Sequence, residues 1–322
     1  MSASPVLPEG ELAYEALRLA FIPWQRERRI AKVRERIRLA RLSSKVISAG
    51  SQHSLALRSD GNVACWGRND DGQAPPAGVD GDFVAIVAGY HHSLALRRDG
   101  SITCWGLNDE GQAPPGGVDG DFVAIAAGSD HSLALRRNGS IACWGQNDEG
   151  QAPPAGVDGD FVAIAAGYWH SLALRRDGRI ACWGRNRHGR APPDGVDGDF
   201  FAVAAGNWHS LALRRDGTIA CWGANDHGQA PPGGVDGDFV AIAAGSDHSL
   251  ALRRNGSIAC WGQNDEGQAP PAGVDGDFVA IAAGYWHSLA LRRDGGIACW
   301  GQNDHGQAPP GGVDGPFGQV DV

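Results

Sequence analysis

"GYWHSLALRRDG" (Gly167–Gly178) returns along the chain with little change, as "GYHHSLALRRDG" from Gly89 and "GNWHSLALRRDG" from Gly206. The histidine before "SLAL" stands at residues 53, 92, 131, 170, 209, 248 and 287, always 39 apart, and a Cys-Trp pair follows each one at a fixed distance. Seven units therefore run from Ser44 to Pro316. A fixed period of this length predicts a repeat architecture.

Each unit predicts three short strands. "FVAIAA" is apolar throughout, "HSLAL" follows a tight glycine turn, "RRDG" supplies a hairpin turn, and "SIACWG" completes the unit. Three strands cannot bury two apolar faces alone, so neighbouring units must pack on each other. We therefore predict an all-β fold, a seven-bladed β-propeller over residues 44–322. A β-solenoid, the alternative, would need shorter rungs and end caps.

The two ends of the repeat array each contain a segment that could form the first strand of the same blade. "SKVIS" (Ser44–Ser48) and "PFGQV" (Pro316–Val320) both fit the first strand of one blade. We expect one of them to close the ring and the other to be displaced or to add an edge strand.

Residues 1–43 predict a basic helical segment, with helices over Glu11–Ile22 and Trp24–Leu42 on either side of Pro23. Residues 1–45 carry ten Lys and Arg against five Asp and Glu, whereas the remaining residues carry 18 against 32. Three roles stay open for the segment: docking on the acidic propeller or on another protein, a short coiled-coil dimer, or contact with nucleic acid or an anionic membrane surface. We favour docking over nucleic acid.

The sequence predicts neither a secretory signal nor a transmembrane segment. Acidic residues interrupt the start of the chain where a secretory signal would be apolar, and no run of about 18 apolar residues occurs. We therefore expect a cytoplasmic protein without a transmembrane segment.

The repeat as a whole resembles a known one. Its pattern, G-x-x-H-S-L-A-L-x-x-D-G-x-I-x-C-W-G-x-N-x-x-G-Q, is similar to that of the regulator of chromosome condensation family. The short period, with "GVD" before "AIAAG", is most similar to the bacterial members of the β-lactamase inhibitory type. The resemblance implies a seven-bladed propeller with three-stranded blades. It does not fix a function, because the family includes exchange factors, a plant UV-B photoreceptor and inhibitors.

The residues that vary lie at one end of each unit. The strand directions place the G-x-x-H turn and the WGxNxxGQ loop on the same face of the disc, and both carry most of the changes. Aromatic residues enter the turns, and Arg185, Arg187, His188 and Arg190 replace the Gln, Glu or Asp of other units. The resemblance implies that aromatic residues in these turns contact the partner in inhibitory members. The predicted partner-binding residues are Tyr90, His91, Tyr168, Trp169, Arg185, Arg187, His188, Trp208, Tyr285, Trp286 and His305.

The repeated His and Cys residues do not predict a metal site, because a whole blade separates each from its equivalents, whereas zinc ligands converge on one point. The histidine shares the side of the two leucines in "HSLAL" and is interpreted as structural. Neither a G-x-S-x-G motif nor a phosphate loop occurs. We predict a non-enzyme without a cofactor.

These observations predict a protein–protein interaction module that acts as an inhibitor, scaffold or regulator through one propeller face. The first alternative is a chromatin- or nucleic-acid-associated factor that uses the basic N-terminal helix. The second is a Trp-based homo-oligomer or UV-B-sensing assembly. In the plant photoreceptor the Trp stands two residues before the His, whereas Trp169, Trp208 and Trp286 stand one before it.

Overall fold

The computed structural model describes residues 46–318, which form seven antiparallel sheets of three strands each. The helices predicted before residue 43 lie outside the described residues. The 21 strands, three to a blade in chain order, are β1 (Ile47–Ala49), β2 (His53–Leu57), β3 (Val63–Gly67), β4 (Phe83–Ala88), β5 (His92–Arg97), β6 (Ile102–Gly106), β7 (Phe122–Ala127), β8 (His131–Arg136), β9 (Ile141–Gly145), β10 (Phe161–Ala166), β11 (His170–Arg175), β12 (Ile180–Gly184), β13 (Phe200–Ala205), β14 (His209–Arg214), β15 (Ile219–Gly223), β16 (Phe239–Ala244), β17 (His248–Arg253), β18 (Ile258–Gly262), β19 (Phe278–Ala283), β20 (His287–Arg292) and β21 (Ile297–Gly301). A short 3-10 turn, η1, covers Arg187–Gly189.

Each blade has the predicted order of strands. The "HSLAL" strand lies in the middle and pairs with both neighbours, so all its residues are buried. The first strand of each blade lines an axial cavity of about 460 Å³, and the third strand lies outermost. A bulge between Phe161 and Ala163 shifts the register of β10 against β11, and the same shift recurs in blades two to seven. Val196 of the long loop forms an antiparallel bridge with Ile180 of β12, so the loop covers the outer edge.

The core lies between blades rather than within them. Leu172 and Leu174 of blade four pack with Phe200 and Ala212 of blade five. The alternation of "HSLAL" explains this contact, because the leucines point to one side of the sheet and the alanine to the other. Each blade therefore presents a side of large residues to the small-residue side of the next one. No helix within residues 46–318 has the length and hydropathy to cross a membrane.

The ring closes by a strand shared between the two ends of the array. Ile47–Ala49 forms β1 and pairs with β2, while Phe317 makes a separate antiparallel bridge with Arg58. Phe317 thus takes the position that Phe83 holds against Arg97 in the second blade. The expectation that one end would be displaced or would add an edge strand is wrong, because each end supplies a different part of the same strand. Phe317 is 3% exposed and joins the core of the first blade.

Candidate functional site

The turn between the first two strands of each blade begins at a tightly enclosed glycine. The amide of Gly167 donates to the carbonyl of His170 at 2.9 Å. A side chain at Gly167 would collide with the His170 ring and with the carbonyl oxygen of Gly206 in the next blade. The residue must therefore be glycine, and the two residues that follow it here, Tyr168 and Trp169, keep part of their surface exposed.

A closed circle of hydrogen bonds fixes the seven turns relative to one another. The Nε2 atom of each buried histidine lies 2.8–3.0 Å from the serine hydroxyl of the next blade, and the last of these contacts joins His287 to Ser54. Ser171 also donates to the carbonyl of Gln151 at 2.9 Å. Because its only proton is used there, Nε2 of His131 must be the donor toward Ser171. The indole of Trp183 donates to the same carbonyl, also at 2.9 Å.

Burial keeps these histidines neutral. It lowers the pKa of His131 to about 3 and that of His209 to about 4, and it is the largest cause at the other five positions as well. Burial also raises the pKa of the Cys143 thiol to about 12, and all seven cysteines are free. Neither residue type is therefore poised for acid–base or nucleophilic chemistry.

Tyrosines from three distant blades meet over the axis. Tyr90 lies 5.7 Å from Tyr168 and 5.6 Å from Tyr285 between ring centroids, with edge-to-face geometry in both pairs. All three line the mouth of the axial cavity, because the first variable residue of each turn points inward. Burial raises the pKa of Tyr90 and of Tyr168, so both hydroxyls stay protonated at neutral pH.

The second variable residue of each turn lies beside the first. Trp169 contacts Tyr168 at 4.5 Å, and Trp208 stacks on Tyr168 with ring centroids 5.9 Å apart. On the far side of the axis, Trp286 contacts Tyr285 at 4.5 Å. His91 lies against Tyr90 at 4.4 Å. We call this continuous surface the aromatic patch; it consists of Tyr90, His91, Tyr168, Trp169, Trp208, Tyr285 and Trp286.

Arginines reach the patch from the fourth blade. The guanidinium of Arg185 lies 4.5 Å from the ring centroid of Trp169 and 3.4 Å from the carboxylate of Glu149. The guanidinium of Arg190 lies 4.9 Å from the ring centroid of Trp208. Arg190 was outside the predicted set of partner-binding residues. A signal for it does exist in the sequence, because the equivalent position holds Gln in the six other units.

The remaining predicted residues stay apart from the patch. Arg187 and His188 lie exposed in η1, and His305 lies exposed in the equivalent loop of the seventh blade. Among residues 46–318, His188 is the non-glycine residue with a positive φ, 64°.

His91 is part of the aromatic patch, and its Nδ1 lies 3.4 Å from Asp71. Burial lowers the pKa of His91, and the neighbouring carboxylate opposes that shift.

Groups that could hold a metal do not form in the described part of the chain. No cluster of three or more His, Cys, Asp or Glu side chains occurs there in suitable positions. The loops around the patch do carry many single carboxylates, such as Asp109, Glu110 and Asp148, so the face is acidic except near the fourth blade. What the arrangement offers is an apolar, partly exposed centre between regions of opposite charge.

Comparison with protein families gives one assignment. The family described as the regulator of chromosome condensation (RCC1) repeat matches seven times, over residues 45–73, 83–112, 122–151, 161–190, 202–229, 239–268 and 278–307. The chain belongs to the RCC1 repeat family. Its repeats coincide with the seven blades. A comparison with curated protein sequences finds no match.

Solved structures of several other proteins share this fold. The chain is similar to Prp20p from Saccharomyces cerevisiae, with 22% identity, a TM-score of 0.64, and coverage of 80% of this chain and 82% of that one. It is also similar to the CRINKLY WD40 ectodomain of the Arabidopsis thaliana receptor kinase ACR4 (24% identity, TM-score 0.65, coverage 83% and 98%). Human WBSCR16 gives 21% identity, a TM-score of 0.65, and coverage of 76% and 85%. At these identities the likeness establishes the fold alone.

Proposed function

We propose that this RCC1-repeat propeller is a non-enzymatic module that binds another protein through the aromatic patch. The observation that carries the proposal is the convergence of Tyr90, Tyr168 and Tyr285, which come from three separate units and meet over the axis. The blades do not need these aromatic residues, since other units hold Ser or Asn at the same position. A contiguous aromatic surface on an otherwise polar face is typical of an interaction site.

The chemistry of the patch suits protein recognition. Trp and Tyr are enriched at binding hot spots because they bury a large area and lose little rotamer freedom. The patch residues from Tyr90 to Trp286 are all part-buried, so each retains apolar surface that a partner could cover. Arg185 adds a charged group that already lies on Trp169.

RCC1-like propellers are known in complexes and binding studies. Prp20p of Saccharomyces cerevisiae is described with its binding to Gsp1p and histones, and the yeast protein has also been solved bound to Kap60. These partners are those of the yeast protein. They support protein binding as the class of function for this chain, without naming its partner.

Affinity capture from the source lysate tests the proposal. The wild-type chain is compared with a Tyr168→Ala/Trp169→Ala/Trp208→Ala variant whose fold is confirmed by circular dichroism. The control variant is Arg137→Ala/Arg176→Ala, because both arginines lie in exposed ion pairs at the opposite end of the blades.

We expect a protein that is retained by the wild type and by the control variant but lost from the patch variant. Equal sets from all three chains would overturn the proposal. Capture of nucleic acid, lost at high salt but unaffected by the patch variant, would favour the basic N-terminal residues instead. A concentration-dependent increase in molar mass that the patch variant abolishes would make a second copy of this chain the partner.

A further inference from the structure

Arg190 stands at a position where the other six units carry glutamine. In the other six units a glutamine occupies the equivalent position, and its side-chain oxygen accepts a hydrogen bond from the backbone amide two residues earlier. In blade three, for example, Gln151 accepts from the amide of Glu149 at 2.9 Å. Arginine has no acceptor and cannot make this bond. The loop of blade four instead forms η1, with His188 in the left-handed region.

The Arg190 side chain is buried without a full set of partners. Its relative exposure is 0%. Its Nε donates to the carbonyl of Arg185 at 2.9 Å and its Nη1 to the carbonyl of Asn207 at 3.1 Å. Within residues 46–318, Nη2 has no hydrogen-bond partner and no access to solvent. Both partners that do exist are neutral carbonyls, so no carboxylate hydrogen-bonds to the guanidinium in this range.

The charge of Arg190 persists in spite of this burial. Desolvation lowers its pKa to about 10, with Arg185 adding to the effect and Glu149 opposing it. The side chain is therefore still a cation at neutral pH. A buried cation that lacks an anionic partner is costly, so its presence requires an explanation, and a group from outside the free protein would supply one.

Two tryptophans and a second arginine surround the guanidinium of Arg190. Trp208 lies over its guanidinium, Trp169 lies 5.9 Å from Trp208, and Arg185 lies over Trp169. Glu149 is the carboxylate that pairs with Arg185. The positive charges of Arg185 and Arg187 add to that of Arg190, and Glu149 opposes them. The side chain of Arg185 is 29% exposed, and its backbone carbonyl accepts the hydrogen bond from Nε of Arg190.

We propose that Arg190 is a carboxylate-binding subsite, which takes an Asp or Glu side chain of the bound partner beside Trp208. This inference rests on the proposed function, because the subsite belongs to the same face. A guanidinium fits a planar carboxylate, and a charge pair closed off by indoles is shielded from water. The apolar walls favour a monoanion, since burying a doubly charged phosphate would cost more.

The first test uses acetate as the probe and does not require the partner. The Nε–Hε signal of Arg190 is identified in the full chain by NMR, through its disappearance in Arg190→Gln. This variant restores the glutamine found in the other units and is expected to fold. Acetate, inorganic phosphate and chloride are then titrated at equal ionic strength. We expect a saturable shift with acetate that exceeds the shift with chloride. A response no larger than that of chloride, or saturation by phosphate and not by acetate, would overturn the proposal.

The second test separates this inference from the proposed function. The affinity of the captured partner is measured for wild type, Arg190→Gln, the patch variant and Arg179→Gln, in which an exposed arginine outside the patch is changed. We expect Arg190→Gln to weaken binding at least tenfold and Arg179→Gln to leave it unchanged. If the patch variant loses binding while Arg190→Gln stays within twofold of wild type, the carboxylate subsite is refuted and the proposed function stands. If the patch variant binds normally, the proposed function fails, and so does this role of Arg190.

Discussion

Lowering the pH from 8.0 to 6.0 should destabilise the propeller through its seven buried histidines. The fold holds each of them neutral, with a pKa of about 3 for His131 and about 4 for His209. In the unfolded chain the same side chains titrate near pH 6.5. Their contribution to stability is therefore complete above pH 6.5 and is lost as the pH falls below it, because the unfolded state then binds protons that the native state excludes.

The size of the effect follows from the unfolded-state pKa. At pH 6.0 each histidine lowers the free energy of unfolding by about 1 kcal/mol or slightly less relative to pH 8.0, so seven together lower it by roughly 6 kcal/mol. This is a large share of the roughly 5–15 kcal/mol by which proteins are usually stable. The interval also stays above the isoelectric point of about 5.6, where loss of net charge would favour association.

Urea unfolding at pH 8.0, 7.0 and 6.0 and constant ionic strength measures this loss. The matched control is His131→Gln, whose amide can still donate to Ser171 but does not titrate. Its loss of stability between pH 8.0 and 6.0 should be smaller by about 1 kcal/mol or slightly less, the share of one histidine. A total loss below about 2 kcal/mol in the wild type would refute the reasoning. So would native-state NMR signals of the buried imidazoles that titrate between pH 8.0 and 6.0.

Three further outcomes follow from single contacts. Ser171→Ala removes the hydrogen-bond acceptor of His131 and should lower the free energy of urea unfolding by about 1–3 kcal/mol. Its control, Ser101→Ala in an exposed turn, should change that free energy by less than about 0.5 kcal/mol. Phe317→Ala should lower the free energy of unfolding by about 3–5 kcal/mol, because it leaves a cavity at the buried ring closure. Phe201 is part-exposed, so Phe201→Ala should lower it less when both variants are unfolded thermally. Arg190→Gln should raise the free energy of unfolding by about 1–3 kcal/mol, since it removes a buried donor without a partner; a decrease would contradict our account of that side chain.

The blade could be predicted closely from the sequence. Its signals are local: "HSLAL" alternates large and small residues, and "RRDG" is a turn, so strands such as His170–Arg175 follow directly. The prediction that His170 shares the side of Leu172 and Leu174 is confirmed, because its ring reaches Ser210 of the next blade. The repeat itself also carried the family assignment, which the seven matches confirm.

Features that depend on the closed ring could not be predicted in the same way. The sequence places Tyr168 and Trp169 in one turn, but which of them faces the axis depends on how seven blades are arranged around it. The convergence of Tyr90 with Tyr285 spans 195 residues and has no local signal. Arg190 was visible as an exception to the repeat, yet its burial beneath Trp208 depends on the neighbouring blade. The partner-binding role of the patch stays a prediction.

The shared strand of the first blade has a consequence for how the chain folds. Contacts between other neighbouring blades, such as His131 with Ser171, join residues 40 positions apart. The bridge between Arg58 and Phe317 joins residues 259 positions apart. Chain entropy makes that longer closure more expensive by about 1.7 kcal/mol. The seam between Ile47 and Phe317 is therefore expected to form last during folding and to open first under heat or mechanical force. Until it forms, the chain is an open stack of blades with exposed strand edges.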